Sequence, residues 1–380
     1  MKRLLFAFVP LLLVSVSMAA QTVCFNPTGI TTTLPGAAAI LDSNRDGKLD
    51  LALLAQSRVG NHLLTESYLG KGDGTFTPVK AYPGPGTAYA IGAGDFNGDG
   101  NPDLAIGFLA HTGKAGIVGV LLGNGDGTFG NPHNVQTARK VDRLVIGDFN
   151  GDGKLDVAVT TGQDFSHAAD VELLLGNGDG SLQAPIVVTT LPYYTPALAA
   201  ADLNHDGKLD VVTLGGDATG ANQVLTVLLG NGDGTFQSAA TYSDGTNQKP
   251  SGIALADVDG DGNLDVVAPA TAGLDVFYGT GSGTLTGPSS ISMFLPPSSV
   301  AAIDIFGNGR KDLVAGIYTG SLGIAVNNGN KNFSVQYTGV GNDPGIPQVG
   351  DFNNDGKTDL LFPFNSGGSD AGVTVLLNCS

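Results

Sequence analysis

The 380-residue, 38.4 kDa chain is long enough for two ordinary domains or for one large symmetric one. With 42% hydrophobic and only 14% charged residues it is no disordered acidic tail, and its 58 Gly and 19 Pro, set in no Gly-x-y period, exclude collagen and long helices in favour of strands joined by many turns. The net charge of -17 comes from 33 Asp and two Glu, Glu66 and Glu172, against 18 Lys and Arg, which excludes a nucleic-acid partner and points to turns and hard-cation sites.

Residues 1–20 read as a signal peptide. Lys2 and Arg3 precede an apolar run over 4–16, and Ser17-Met18-Ala19-Ala20 supplies small residues for cleavage. The run is short for a bilayer span and nothing similar follows, so no transmembrane segment is expected. Residues 21–380 are expected to form one domain, secreted or periplasmic, with Val23 before Cys24 arguing against a lipid anchor. In an oxidising compartment Cys24 and Cys379, at opposite ends of the mature chain, are expected to form a disulfide.

From Asp42 onward one pattern recurs. Acidic segments begin at Asp42, Asp95, Asp148, Asp202, Asp257, Asp304 and Asp351, at separations of 53, 53, 54, 55, 47 and 47 residues. Around each, the apolar pattern predicts a strand before the segment, as at 141–147, a second after it, as at 156–161, and a third, as at 171–175. The Asn-Gly and Asp-Gly pairs within 122–129, 175–182 and 229–236 then predict a tight hairpin into a fourth strand. Four short antiparallel strands, repeated seven times, predict an all-β, seven-bladed β-propeller, with a solenoid as the alternative.

Closure separates the two. The last unit offers strands at 346–350, 359–364 and 372–378 and no fourth. Phe25-Asn26-Pro27 aligns with the fourth-strand openings Phe76-Thr77-Pro78 and Phe129-Gly130-Asn131-Pro132, so residues 23–33 are expected to complete the last blade beside Cys379. A solenoid would hold its ends apart.

Within each acidic segment, side-chain oxygens at positions 1, 3, 5 and 9, a main-chain carbonyl at position 7 and a Gly at position 6 match the several hard oxygens that Ca²⁺ takes from a flexible loop. The candidate ligands are Asp42, Asn44, Asp46, Lys48 and Asp50 in loop one, and Asp95, Asn97, Asp99, Asn101 and Asp103 in loop two. Loop three offers Asp148, Asn150, Asp152, Lys154 and Asp156, and loop four Asp202, Asn204, Asp206, Lys208 and Asp210. Loop five offers Asp257, Asp259, Asp261, Asn263 and Asp265, and loop seven Asp351, Asn353, Asp355, Lys357 and Asp359. Position 7 (Lys48, Asn101, Lys154, Lys208, Asn263 and Lys357) contributes its carbonyl alone. Loop six has Phe306 at position 3 and neutral Asn308 at position 5, so about six Ca²⁺ sites are expected, with the loop at Asp304 empty and Arg310 and Lys311 neutralising Asp304 and Asp312. An EF-hand would need flanking helices and a Glu at position 12, and neither is present.

The core Gly-Asp-Phe-Asn-Gly-Asp-Gly-x-x-Asp at 94–103 and 147–156, repeated at 350–359 with Asn354 as its one departure, resembles the FG-GAP or VCBS repeat, whose family includes the seven-bladed propeller of integrin α chains. The likeness covers essentially the whole mature chain. It implies that the acidic loop joins the first two strands of a blade and binds Ca²⁺ on the lower face. It also implies that the upper face serves adhesion or ligand recognition.

No catalytic constellation is read, and the chain is expected not to be an enzyme. The five His, at 62, 111, 133, 167 and 205, are spread over four units without metal spacing, and most Asp are committed to the loops. Gly367-Gly-Ser369-Asp-Ala371 lies in a β loop with no helix after it, and the Gly-Asn-Gly-Asp-Gly turns lack a Walker lysine. Lys71-Gly72-Asp73 occupies a hairpin and reads as a turn rather than an adhesive tripeptide. The expected function is a binding or adhesion module for an extracellular protein or polysaccharide, through the variable upper connections at 81–89, 108–116, 190–196 and 242–252. The alternatives are a lectin-like glycan binder, for which Tyr193-Tyr194 is the densest aromatic spot in a chain without Trp, and behind it a propeller hydrolase or lyase.

Overall fold

A computed structural model describes residues 23–32, 35–56, 63–110, 115–162, 168–191, 197–216, 222–243, 251–317, 319–340, 345–365 and 371–380. The predicted signal peptide, His62, His111, His167, Tyr193-Tyr194 and Ser369 lie outside the described residues, as do parts of three of the four upper connections, those at 108–116, 190–196 and 242–252. The described strands form seven four-stranded antiparallel sheets, each one blade. The seven first strands follow one another around the ring, so the propeller axis passes between them.

Blade three shows how the sequence makes a blade. Its strands are Val141–Gly147, Asp156–Thr161, Ala169–Leu174 and Ile186–Leu191. The second and third are buried at every residue, because a middle strand of a blade is covered on both faces by neighbouring blades; it therefore reads as a continuous apolar run. The fourth strand is the outer edge, and Ile186 and Val187 are exposed there. The third strand begins at Ala169, two residues before the apolar run starts, since Asp170 pairs with Thr190 in the ladder. It ends at Leu174 because the next donor, Gly176 N–H, is taken by the Asp156 carboxylate.

The core is divided in the same way. Seven apolar clusters lie one between each pair of adjacent blades. Between blades two and three, for example, Val118 and Val120 pack on Val157 and Val159, each fully buried. Each such side chain contributes roughly 2 kcal/mol relative to exposure.

The last sheet is closed by the first strand. Gln348–Gly350, Asp359–Asn365 and Ala371–Asn378 are joined by Phe25–Thr32, which pairs antiparallel in a register running from Phe25 opposite Asn378 to Thr32 opposite Ala371. Cys24 and Cys379 form a disulfide across this seam with Cα atoms 5.1 Å apart, and Cys379 N–H donates to the Cys24 carbonyl at 3.2 Å. No helix among the described residues is long and apolar enough to cross a membrane.

Candidate metal-binding loops

Each acidic loop joins the first two strands of its blade and is folded by its own carboxylates. In loop three Asp148 Oδ1 accepts the N–H groups of Gly151 and Asp152, at 2.7 and 3.2 Å, and Oδ2 accepts Gly153 N–H at 2.8 Å. Asn150 Oδ1 accepts Asp152 N–H at 3.0 Å, and Asp152 Oδ1 accepts Lys154 N–H at 2.9 Å. Gly153 sits at φ +81°, so the glycine at position 6 lets the chain turn back on its first aspartate. Main-chain donors on Asp152 hold its carboxyl below the usual range. Lys48, Lys154 and Lys208 reach the position-5 aspartates Asp46, Asp152 and Asp206 at 3.3, 3.7 and 3.6 Å, exposed pairs of small energetic weight.

Position 9 has a second role that sequence reasoning did not assign. Asp156 is fully buried, with Oδ2 accepting Phe149 N–H at 2.9 Å and Oδ1 accepting Gly176 N–H, at the start of the hairpin, at 2.8 Å. The same two bonds recur at Asp50, Asp103, Asp210, Asp265, Asp312 and Asp359. This aspartate ties the acidic loop to the hairpin. Burial pushes all seven carboxyls up, Asp265 to about 6, and the other loop aspartates add to the shift.

The loops also join the blades. The position-2 carbonyl of a loop accepts a hydrogen bond from the next blade's hairpin: Ser43 from Gly127, Phe96 from Gly180, Phe149 from Gly234 and Phe352 from Gly74, at 3.0 to 3.3 Å. In blades six and seven, which lack the Gly-Asp-Gly hairpin, an asparagine side chain substitutes, Asn327 Nδ2 donating to the Val258 carbonyl and Asn378 Nδ2 to that of Ile305, both at 2.7 Å. Acidic loops and hairpins therefore share one face of the ring.

The donor chemistry suits Ca²⁺. In loop five one carboxylate oxygen from each of Asp257, Asp259 and Asp265 lies within 4.8 Å of the others, and oxygens bound to one ion at about 2.3–2.6 Å are separated by no more than about 5 Å. It is the one such acidic triad among the described residues. In loops one to four and seven the third position is an Asn, whose carbonyl supplies oxygen without charge. Held there, Ca²⁺ would supply two positive charges among carboxylates that otherwise repel one another.

Loop six keeps the turn. Asp304 accepts from Asn308 and Gly309 N–H at 3.0 and 2.7 Å, and Asn308 Oδ1 accepts Arg310 N–H at 2.9 Å. Phe306, at the third position, packs on the cluster between blades six and seven instead of offering oxygen. Burial pushes the Asp312 carboxyl up, and the main-chain N–H groups of Asn327 and Ile305 and the charge of Arg310 act in the opposite direction.

The opposite face carries the connections that do not repeat. Between blades five and six, Phe294 is 91% exposed, its N–H donates to Tyr337 Oη at 2.7 Å, and the two rings lie 6.0 Å apart beside exposed Leu295. At the mouth of the central channel Lys140 Nζ sits 2.5 Å from Asp142 and 4.4 Å from the Tyr89 ring centroid. Arg143 reaches across from blade three to the Ser251 carbonyl, at 3.1 and 3.2 Å. His133 and His205 stand apart on blades two and four, and His205 Nε2 meets Asn263 Oδ1 at 3.2 Å.

Comparison with known proteins follows the repeats. The model of the FG-GAP-like repeat matches residues 42–106, 148–213, 215–268 and 304–362, more than half of the chain. No curated protein matches the sequence. Among solved structures the chain is similar to an Agrocybe aegerita lectin described as recognising non-reducing terminal N-acetylglucosamine, with 21% identity, TM-score 0.58, and coverage of 92% of this chain and 86% of the lectin. It is also similar to a chain in the crystal structure of BBS1N in complex with ARL6DN, soaked with lead, with 13% identity, TM-score 0.59, and coverage of 92% and 94%. At these identities the likeness is one of fold.

Proposed function

The chain belongs to the FG-GAP-like repeat family, and from that premise we propose that it is an exported, calcium-stabilised propeller acting as a non-catalytic binding or adhesion module for an extracellular protein or polysaccharide. The observation that carries this reading is the division of labour between the two faces. Repeated acidic loops and hairpins fill one, six of the seven loops bonded to the next blade through the main-chain carbonyl at position 2, while non-repeating connections fill the other. Ca²⁺ on the acidic face relieves carboxylate crowding and stiffens the ring by binding only its folded form. The recognition face is then free to vary. The Cys24–Cys379 disulfide and the predicted signal peptide support export.

A second reading, a lectin-like glycan binder, is favoured by the exposed Phe294–Tyr337 pair, an aromatic platform of the kind that stacks on sugar rings, and by the fold shared with the Agrocybe aegerita lectin. The test is a binding screen of the mature chain against glycans and surface proteins, in Ca²⁺ and in chelator. Retention of one ligand class, stronger in Ca²⁺, is expected. Selective glycan capture that is lost in Phe294→Ser would favour the lectin reading, and turnover of a captured polysaccharide would overturn the non-catalytic one.

A further inference from the structure

Three departures from the repeat meet between blades five and six. Position 3 of the acidic loop is Asn in loops one to four and seven, but in loop five it is Asp259. The residue ending the third strand's apolar run is Leu69, Leu122, Leu175, Leu229, Val326 or Leu377 in the other blades, but in blade five it is Tyr278. The hairpin position held by Gly74, Gly127, Gly180, Gly234 and Gly283 is, in blade six, Lys331. These residues are far apart in sequence and in contact in space. Lys331 Nζ lies 2.9 Å from Asp259 Oδ2 and 3.6 Å from the centroid of the Tyr278 ring.

The geometry marks this as a built contact. Lys331 keeps the left-handed backbone of the glycines it replaces, φ +60°, which a residue with a Cβ adopts only at a cost. At four of the five equivalent places a side chain has little room, as where a Cβ on Gly127 would lie 2.8 Å from Leu69 and one on Gly180 2.5 Å from Leu122; only at Gly234 is the nearest atom 3.6 Å away. At blade six the replacement of that leucine by a flat, electron-rich ring gives a lysine both room and a cation–π partner. The Asp259 side chain is 5% exposed and its other oxygen accepts Asp261 N–H at 3.1 Å, so the ammonium sits on the oxygen left for a cation. Lys331 offsets one of the four carboxylate charges of loop five, those of Asp257, Asp259, Asp261 and Asp265.

We propose that Lys331 sets the metal affinity of loop five, as a tethered cation that a divalent ion must displace from Asp259. An ammonium and a Ca²⁺ ion cannot both take Asp259 Oδ2 at contact distance without strong mutual repulsion. Filling loop five therefore moves Lys331 off Asp259 and frees the hairpin of blade six from Tyr278, which couples this site to the junction of two blades. In loops one, three and four the cation beside a ligand carboxylate is the loop's own exposed lysine, on the position-5 aspartate; a competitor from the next blade is peculiar to loop five, because a glycine stands at its place in that hairpin for loops one to four and seven. The proposal rests on the reading of the loops as calcium sites.

The test uses the whole mature chain and Tb³⁺, a calcium-sized ion whose emission is excited through nearby tyrosine; with nine Tyr and no Trp, tyrosine is the sensitiser here. The emission lost in Tyr278→Phe reports loop five. Lys331→Gly, which restores the residue of the other blades and suits the backbone, should shift the Tyr278-dependent titration to roughly three- to tenfold lower Tb³⁺, with Ca²⁺ competing at correspondingly lower concentration. In an Asp259→Asn background the same change should shift it little, since the contested carboxylate is gone. An unshifted or weakened loop-five titration, or no Tyr278-dependent signal in either chain, would overturn the proposal while normal filling of the other loops by equilibrium dialysis left the calcium reading standing. Absence of bound metal from every loop would overturn both.

Discussion

At the residue scale the ninth aspartate is two things at once, and the two roles are separable. Asp156 gives each carboxylate oxygen to a buried main-chain N–H, whereas Asn150 serves only the local turn and, in the calcium reading, the ion. Asp156→Asn sets an amide NH₂ against one of those donors and should cost about 2–4 kcal/mol in urea unfolding even in chelator. Asn150→Ala should be nearly silent in chelator and raise the Ca²⁺ midpoint of stabilisation. Glu172 offers a test away from the loops. It is 1% exposed, burial pushes its carboxyl up, Asp170 adds to the shift, and Thr161 Oγ1 donates to Oε1 at 3.3 Å while Oε2 has no hydrogen-bond partner among the described residues. A raised folded-state pKa means that its contribution to stability is complete below the unfolded value near 4.5 and is lost as pH rises through the folded value. Glu172→Gln should therefore flatten the stability profile within that window, from about pH 4.5 up to the folded value, in unfolding measured at a series of pH values; an unchanged profile would show that Glu172 ionises freely in the fold.

At the element scale the acidic loop is a turn before it is a metal site. Loop six keeps the first-aspartate bonds, the asparagine bond to Arg310 and the ninth-aspartate brace although Phe306 has removed an oxygen ligand. A glycine at positive φ, Gly309 at +80°, and the carboxylate bonds suffice to close it. Elemental analysis of dialysed protein should accordingly find about six Ca²⁺ per chain rather than seven, by the ligand requirement of Ca²⁺. Phe306→Asn combined with Asn308→Asp should add one ion, at a modest stability cost because Phe306 is only partly buried against its cluster. A seventh ion in the unmodified chain, lost on Asp304→Asn, would contradict this.

At the scale of the whole molecule a propeller is held by its weakest junction, since every blade packs only on its neighbours. The seam has more than a sheet to hold it: the Phe25–Thr32 strand, the disulfide, and Gly74 N–H bonded to the Phe352 carbonyl from the next blade. Closing a loop of 355 residues contributes roughly 6 kcal/mol in the chain-entropy model. Cys24→Ser should lower unfolding stability by about 2–5 kcal/mol and leave Ca²⁺ binding in loops three and four, opposite the seam, unchanged. A non-reducing peptide map should show one peptide joining the two ends of the mature chain, and free thiols at both cysteines would contradict the register of the last blade.

The propeller, its blade count and its closing strand were legible in the sequence because each rests on local and repeated signals. Turn residues, alternating strands and the nine-residue acidic segment are encoded within a few residues, and Asp42 to Asp351 repeat them seven times. Cys24 and Cys379 disclosed the seam because only a closed ring brings them together. What lay beyond reach was every contact between blades. Asp259, Tyr278 and Lys331 are unremarkable singly, and the glycine-to-lysine change in the sixth hairpin was visible without showing what the lysine meets. The dual brace of Asp156 and the carbonyl bonds of Asn327 and Asn378 were hidden for the same reason. A repeat specifies each blade by short-range chemistry, but which side chains of adjacent blades meet depends on the ring's curvature and on packing over fifty residues or more, and only the tertiary structure decides that.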